Sequence, residues 1–477
     1  SKIISDQIDA LGPIPEDPDS EAKDIAELRA SLSKQLAVAK APLIVAEEAF
    51  RRANGLISEI DRTIRERSAS AFLKLGVSPL TPNVWGSTIS DIKKYIGQVK
   101  SEAVKSFNNP SSKVIRSNNL PGILFFAILG LLLIFPATKW VSQNMSVETG
   151  RSDAIIKKIK YLAFSFCVFI LPLLGVCFLI RSVEMLDIFD YRGDALTQAI
   201  MVVSIAVIGA YWLAHNLFKE TGLTRELLGI DSGRLFVAYS VTILMGIVLG
   251  LYWLVNDLEQ VAGLTETSIA VLEFPLILIG SYGLITFAQR VKLYRARLTS
   301  EKKITPISDK ISSLILALTM TAGILGPITA VIGYSNIGAK LVFATILTLA
   351  VLFSLFIIFT LIAYLSSEVI IKSQNKNNQD KASKGGLFRV FLAFILACLA
   401  IPLLALIWGA RVVDIQDVWL SLKDGVVLGD TRISISDFIT FVIIFSIGYT
   451  LTRLLQSALR LSVLPNTKID SGAQNAL

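Results

Sequence analysis

The sequence predicts an all-α polytopic membrane protein, with about nine transmembrane helices preceded by a small extracytoplasmic α-helical domain. Three observations carry this reading. Of 477 residues, 53% are hydrophobic and only 18% are charged, with a mean hydropathy of +0.61; soluble domains carry about a quarter charged residues. The apolar residues are massed into blocks of about twenty, the length that crosses a hydrocarbon core of about 30 Å. Positive charge is shared unequally among the loops between those blocks. The same composition excludes a disordered, collagen-like or disulfide-scaffolded chain.

Residues 1–120 are polar and read as the extracytoplasmic domain. No signal peptide is visible and the chain opens on Ser1, which either a removed export signal or a trimmed chain would explain. Leu11 to Pro18 reads as a proline-stiffened extended segment. From Ser20 apolar residues recur every three or four positions, through Ile25, Leu28, Leu32, Leu36, Leu43, Phe50, Ile57, Ile60 and Ile64, which is helical periodicity. Pro42 is expected to kink or split this helix. Ser78-Pro79-Leu80-Thr81-Pro82 breaks the pattern. A second amphipathic helix follows from Trp85 to Phe107, with Ile89, Ile92, Ile96, Val99 and Val104 on its apolar face. Its Lys93, Lys94, Lys100 and Lys105 either meet anionic headgroups or face water. With 17 Lys/Arg against 15 Asp/Glu in this domain, a nucleic-acid partner finds no support.

Nine apolar blocks follow, near 121–138, 161–180, 196–218, 235–254, 269–288, 311–333, 341–366, 388–408 and 437–455. Residues 121–436 thus hold eight helices, and 437–477 hold the ninth with a terminal elbow. Loops after the odd-numbered blocks, with their flanks, carry 23 Lys/Arg, and those after the even-numbered blocks carry 6. Positive charge resists translocation. The odd loops are therefore cytoplasmic, and the N-terminal domain lies outside the cytoplasmic membrane.

Little in the chain suggests enzyme chemistry, a cofactor or a metal site. Cys167, Cys177 and Cys398 lie inside apolar blocks and His215 is the single histidine, which cannot build a His-based metal site alone. Gly-rich phosphate loops, nucleophile elbows and zinc-protease motifs are missing from the sequence. Glu273 is an intramembrane acid, either a functional group by its depth or an interfacial residue favoured by a helix N-terminus. Tyr211, Trp212 and His215 read as an interfacial belt. Pro172, Pro275, Pro327 and Pro402 mark kinks or hinges. Gly323, Gly326 and Pro327 make the sixth block the best candidate for a broken helix. Gly246 and Gly250 form a close-packing pair.

Two stretches resemble a known family. Leu11-Gly12-Pro13, the long Ala/Leu/Arg helix and Ser78-Pro79-Leu80-Thr81-Pro82-Asn83-Val84-Trp85 resemble an extracytoplasmic domain that heads certain large bacterial mechanosensitive channels. Ile433-Ser434-Ile435-Ser436-Asp437-Phe438, then Arg453-Leu454-Leu455 and Val463-Leu464-Pro465-Asn466-Thr467-Lys468-Ile469-Asp470, are similar to the first helix and elbow of the small-conductance mechanosensitive channel (MscS) core, in its MscK-like form. The resemblance implies a tension-gated channel that releases ions and small solutes on hypo-osmotic shock. It also implies a homo-oligomer, heptameric in that family, with membrane lipids as partners. Two further helices, the last lining the pore, and a cytoplasmic cage would follow Leu477, so no pore-lining residue falls in this chain. Arg453, Arg460, Pro465, Lys468 and Asp470 would couple the elbow to lipid and tension; ordinary positive-inside anchoring is the other reading of the three cations.

A secondary transporter is the competing class, and predicts paired broken helices; a non-conducting membrane scaffold is the third. The charge split yields a direct test. Cysteines substituted at Asp257 and Lys302 should react with an impermeant thiol reagent from outside only at 257, and the reverse pattern would invert the topology.

Overall fold

A computed structural model of the chain describes residues 2–12, 23–144, 154–189, 191–218, 236–300, 306–372, 379–428 and 431–433, with isolated helical positions between 437 and 452. These residues are almost wholly helical, with one short hairpin pairing β1 (Val426–Leu428) with β2 (Thr431–Ile433). The ninth apolar block and the elbow lie largely or wholly outside the described residues.

Chain contacts divide the protein at Gly76. In the first unit α1 (Lys2–Ala10) turns back onto the start of α2 (Lys23–Phe72), where the Arg29 guanidinium donates to the carbonyls of Leu11 and Gly12 at 3.2 and 3.0 Å. Pro42 lies inside α2 without ending it. Its missing N–H costs one backbone bond, and on so exposed a helix water can take the freed carbonyl.

The second unit begins at Val77 and contains α3 (Pro82–Asn108), which the sequence groups with the preceding helix but which packs on the membrane helices. Eight helices among the described residues are long and apolar enough to cross a membrane. The first is continuous through α4 (Pro110–Leu132), a π-helical turn at Leu133–Ala137 and α5 (Thr138–Asn144). The turn sits where Pro136 removes an N–H, and the Thr138 hydroxyl donates to the Leu133 carbonyl at 2.9 Å. Such turns accommodate interruptions in the helical ladder. The remaining seven are α6 (Ala154–Glu184), α7 (Tyr191–Phe218), α8 (Phe236–Ala262), α9 (Glu266–Ser300), α10 (Pro306–Ile332), α11 (Ser335–Lys372) and α12 (Gln379–Ile407). A short helix, α13 (Val412–Asp424), follows.

Two buried clusters organise the bundle. Met245, Ile277, Leu284, Ala330, Val342 and Phe343 join α8 to α11. Val141, Val168, Trp212, Leu217, Ile357 and Leu361 join α5, α6, α7 and α11. Among the described residues, α11 alone contributes fully buried side chains to both clusters. Half of the α9 span is buried (50%), against 11% for the first span and for α12, whose apolar side chains face outward.

Glycines set the closest approaches. A Cβ on Gly246 would lie 2.9 Å from the Ala206 carbonyl oxygen, and one on Gly250 would lie 3.1 Å from Val203 Cα, so the expected close-packing pair seats α8 on α7. Contrary to the broken-helix expectation, α10 is unbroken from Pro306 to Ile332. Its Gly326 faces Gly338 of α11, where an added Cβ would come within 2.6 Å of the Gly326 carbonyl oxygen. The glycines of the sixth block therefore serve helix approach rather than helix breakage.

A substitution pair tests this packing. Gly338→Ala should cost about 1–3 kcal/mol, because backbone cannot move aside as a flexible side chain can. At Gly209 the nearest atom to an added Cβ is Phe169 Cε2 at 3.9 Å, so Gly209→Ala should stabilise by about 0.5–1 kcal/mol through helix propensity. Thermal unfolding in detergent micelles reads both, and equal effects would refute the contact argument.

Candidate functional site

Helix α3 forms a strap across one end of the bundle. Pro82 supplies its first turn, where a missing N–H costs nothing. The preceding turn is folded on itself: Trp85 Nε1 donates to the Pro79 carbonyl at 2.8 Å, and the Thr81 N–H to the Ser78 carbonyl at 3.0 Å. At the far end Asn109 closes α3 and opens α4, its side chain accepting the Ser111 N–H at 3.1 Å. Arg116 then reaches back, donating to the Phe107 carbonyl at 2.5 Å with its guanidinium 4.5 Å from the Phe107 ring centre. Both ends of the strap are thereby fixed.

From the Ser78 turn to Ser106, polar side chains tie the strap and its leading turn to three interhelical connections. The Ser78 hydroxyl donates to the Val331 carbonyl at 2.7 Å, beside the α10–α11 turn. Asp91 accepts from the Ser268 hydroxyl at 2.8 Å, at the start of α9. Tyr95 donates its phenol proton to the Arg192 carbonyl at 3.3 Å, and the Arg192 guanidinium pairs with the Glu102 carboxylate. Ser106 donates to the Asp187 carbonyl at 2.5 Å, in the α6–α7 turn where Asp187 takes a positive φ of 48°. The turns so gripped follow the second, fourth and sixth spans, all at one end of the bundle. The strap therefore lies on the side of the even-numbered loops.

Tyr95 is 7% exposed. Burial raises its phenol above the usual 10.0; the nearby Arg192 charge opposes this and the Glu102 charge adds to it. The neutral, donating form is the one the fold favours.

A second polar cluster lies within the bundle toward the opposite end. The Ser165 hydroxyl donates to Asn216 Oδ1 at 2.9 Å, Trp212 Nε1 to the Ser165 carbonyl at 2.9 Å, and Asn216 Nδ2 to the Trp212 carbonyl at 2.9 Å. His215 is fully buried (0% exposed), its ring 5.9 Å from that of Tyr211. Trp212 and His215 are thus packed inside the protein rather than displayed in the expected interfacial belt. Beside them an apolar cavity of about 400 Å³ opens among α6, α7, α8 and α11, lined by Phe169, Gly209, Trp212, Gly246 and Phe353.

Glu273 is buried (4% exposed) on α9, about 10 Å along the helix from Glu266 by the rise per residue. The four cationic positions of α3 expected to meet headgroups or water, Lys93, Lys94, Lys100 and Lys105, are all exposed. Arg453, Arg460, Pro465, Lys468 and Asp470 lie outside the described residues. Among the described residues no group of three His, Cys, Asp or Glu side chains is placed to hold a metal ion. The three cysteines are free thiols.

Residues 43–104 match the model of a family described as a protein of unknown function (DUF3772). No curated protein and no solved structure matches the chain. The matched segment runs from within α2, through the Ser78–Thr81 turn, to nearly the end of α3. It contains four of the five strap residues that bind the turns: Ser78, Asp91, Tyr95 and Glu102.

Sequence reasoning treated the Ser78-Pro79 stretch as a break; here it is an anchor. The polar positions of α3 matched no known motif. A partial signal was present in Asp91, Tyr95 and Glu102, which lie at helical spacing of four and seven.

The Tyr95 bond should contribute about 1 kcal/mol. A raised folded-state pKa means this contribution is intact below pH 10 and is lost as pH rises through the folded value. The stability gap between the native protein and Tyr95→Phe should therefore narrow above pH 10, and a constant gap in thermal scans would contradict the assignment.

Proposed function

We propose that this chain is the sensor and membrane-paddle portion of a tension-gated mechanosensitive channel of the MscS superfamily, MscK-like in form. It would sit in the inner membrane of a bacterium, with α3 on the periplasmic face. The observation that carries the reading is the strap. Tension does work on whichever state occupies more in-plane area, so a sensor needs spans that face lipid and a connection that gathers their displacement. The first span and α12 turn most of their surface outward. Helix α3, joined at Asn109 to the first span, grips three turns of the bundle together with the Ser78 turn that precedes it. The family match falls on the same stretch whose resemblance to channel-heading domains supports the reading. A transporter reading is disfavoured by the unbroken α10.

In this account the spans shift under tension, the strap holds their periplasmic turns in register, and the ninth block with its elbow passes the tilt to a pore helix beyond Leu477. Identical chains share such a pore, as a heptamer by resemblance; native mass measurement of the full-length protein tests the number.

Patch-clamp of the full-length protein in giant vesicles under graded suction tests the function. Tension-dependent conductance is expected, and its absence with normal insertion would overturn the reading. Replacing Arg453, Arg460 and Lys468 together with Gln should shift the opening threshold by a few kcal/mol at most, at roughly 1 kcal/mol per cation near an anionic leaflet. An unchanged threshold would leave these residues as topological anchors.

A further inference from the structure

We infer that the space beneath α3 is a binding site for one acyl chain of an anionic phospholipid from the leaflet on the strap side, with Lys100 at its mouth as the phosphate partner. The inference rests on the membrane-spanning reading of the bundle. A cavity of about 460 Å³ separates the underside of α3 from the span ends. Ile92 and Val99 of α3 form its roof, and Phe189, Leu264 and Leu272 line it from the bundle. Apart from Tyr95 and Lys100, the lining residues are apolar. Tyr95 borders the cavity, but its hydroxyl is engaged with the Arg192 carbonyl.

Water is a poor occupant of such a space, because a stable buried water needs two to four polar partners. A hydrocarbon chain needs none. The height of the cavity is fixed by its walls: Leu258 and Leu264 flank the α8–α9 connection and Phe189 the α6–α7 connection, so it lies at the ends of the spans, where headgroups meet acyl chains. Its mouth carries an exposed apolar residue, Ile96 (59% exposed), next to the one cation of the lining, Lys100. An apolar interior with a cation at the rim matches a lipid whose tail enters and whose phosphate stays out. A lysine can lay its methylene stem on the apolar wall and keep its ammonium in the headgroup layer. The polar ties of α3 to the turns, at Asp91, Tyr95, Glu102 and Ser106, hold the roof in place above the chain.

The experiment uses the full chain in phosphatidylcholine nanodiscs doped with phosphatidylglycerol that bears a photoreactive group on one acyl chain, followed by peptide mapping. Labels should appear on α3 around Val99 and on the Leu264–Leu272 segment, as well as on the outward face of α12 at Phe391 and Phe394. Val99→Trp should fill the space and lower the cavity labels about tenfold while α12 labels persist. Lys100→Gln, an exposed change that leaves the fold alone, should lower cavity labelling by the anionic lipid about fivefold and that by photoreactive phosphatidylcholine much less. Labels on α12 with none beneath α3, or insensitivity to Val99→Trp, would overturn the site. Labelling by a photoreactive free fatty acid that phosphatidylglycerol fails to displace would overturn the phospholipid assignment. An unlabelled α12 would instead overturn the membrane-spanning reading itself.

Discussion

Inside a bilayer, helices gain nothing from hiding apolar surface from one another, because lipid tails are as apolar as leucine. What holds this bundle together is therefore distance: backbones must come close enough for dispersion contacts to outnumber those with lipid. Gly246 and Gly250 on Val203 and Ala206, Gly130 on Gly175, and Gly326 on Gly338 supply that distance. The last pair seats α10 against α11, the helix that contributes to both buried clusters.

Polar contacts act at the ends rather than in the middle. Away from water a hydrogen bond is electrostatically stronger and an orphaned polar group costs more, so the chain places most of its polar side chains where a partner is assured. Ser, Thr and Asn side chains within the spans mostly bond their own helix, as Thr242 does to Ala238 and Ser354 to Ala350. The interhelical bonds concentrate at the Ser165–Asn216 cluster and along α3. Each such bond fixes orientation about the helix axis, which glycine contacts leave loose.

Much of the membrane architecture was legible in the sequence because it is written one segment at a time. Block length and hydropathy identified the eight helices seen here, and the spacing of Gly246 and Gly250 identified a packing seam. What could not be read depends on pairs of residues far apart in the chain. Ser106 and Asp187 are 81 positions apart and Asp91 and Ser268 are 177 apart, and neither pair carries a local pattern. The same reason explains Trp212 and His215. Their position near a span end suggests an interfacial belt, yet both are buried, and the neighbour that covers Trp212, α6, is another segment. It also explains α3, whose stripe of isoleucines fits a soluble helical pair as well as a helix laid on span ends. The sixth block misled for a different cause: Gly and Pro together suggest a break, whereas in a packed membrane helix Gly is the means of contact and Pro is tolerated.

The asymmetry of the strap has a mechanical consequence. Helix α3 and the turn before it tie the connections that follow the second, fourth and sixth spans, all at one end of the bundle. Under the proposed tension sensing, lateral enlargement would be resisted at the tied end, so the bundle would widen unequally along its length. A body that changes its cross-section unequally through the depth of the bilayer couples to bending as well as to stretch. Lipids whose own shape favours curvature, or an unequal packing of the two leaflets, would then act on it in the same direction as an applied load.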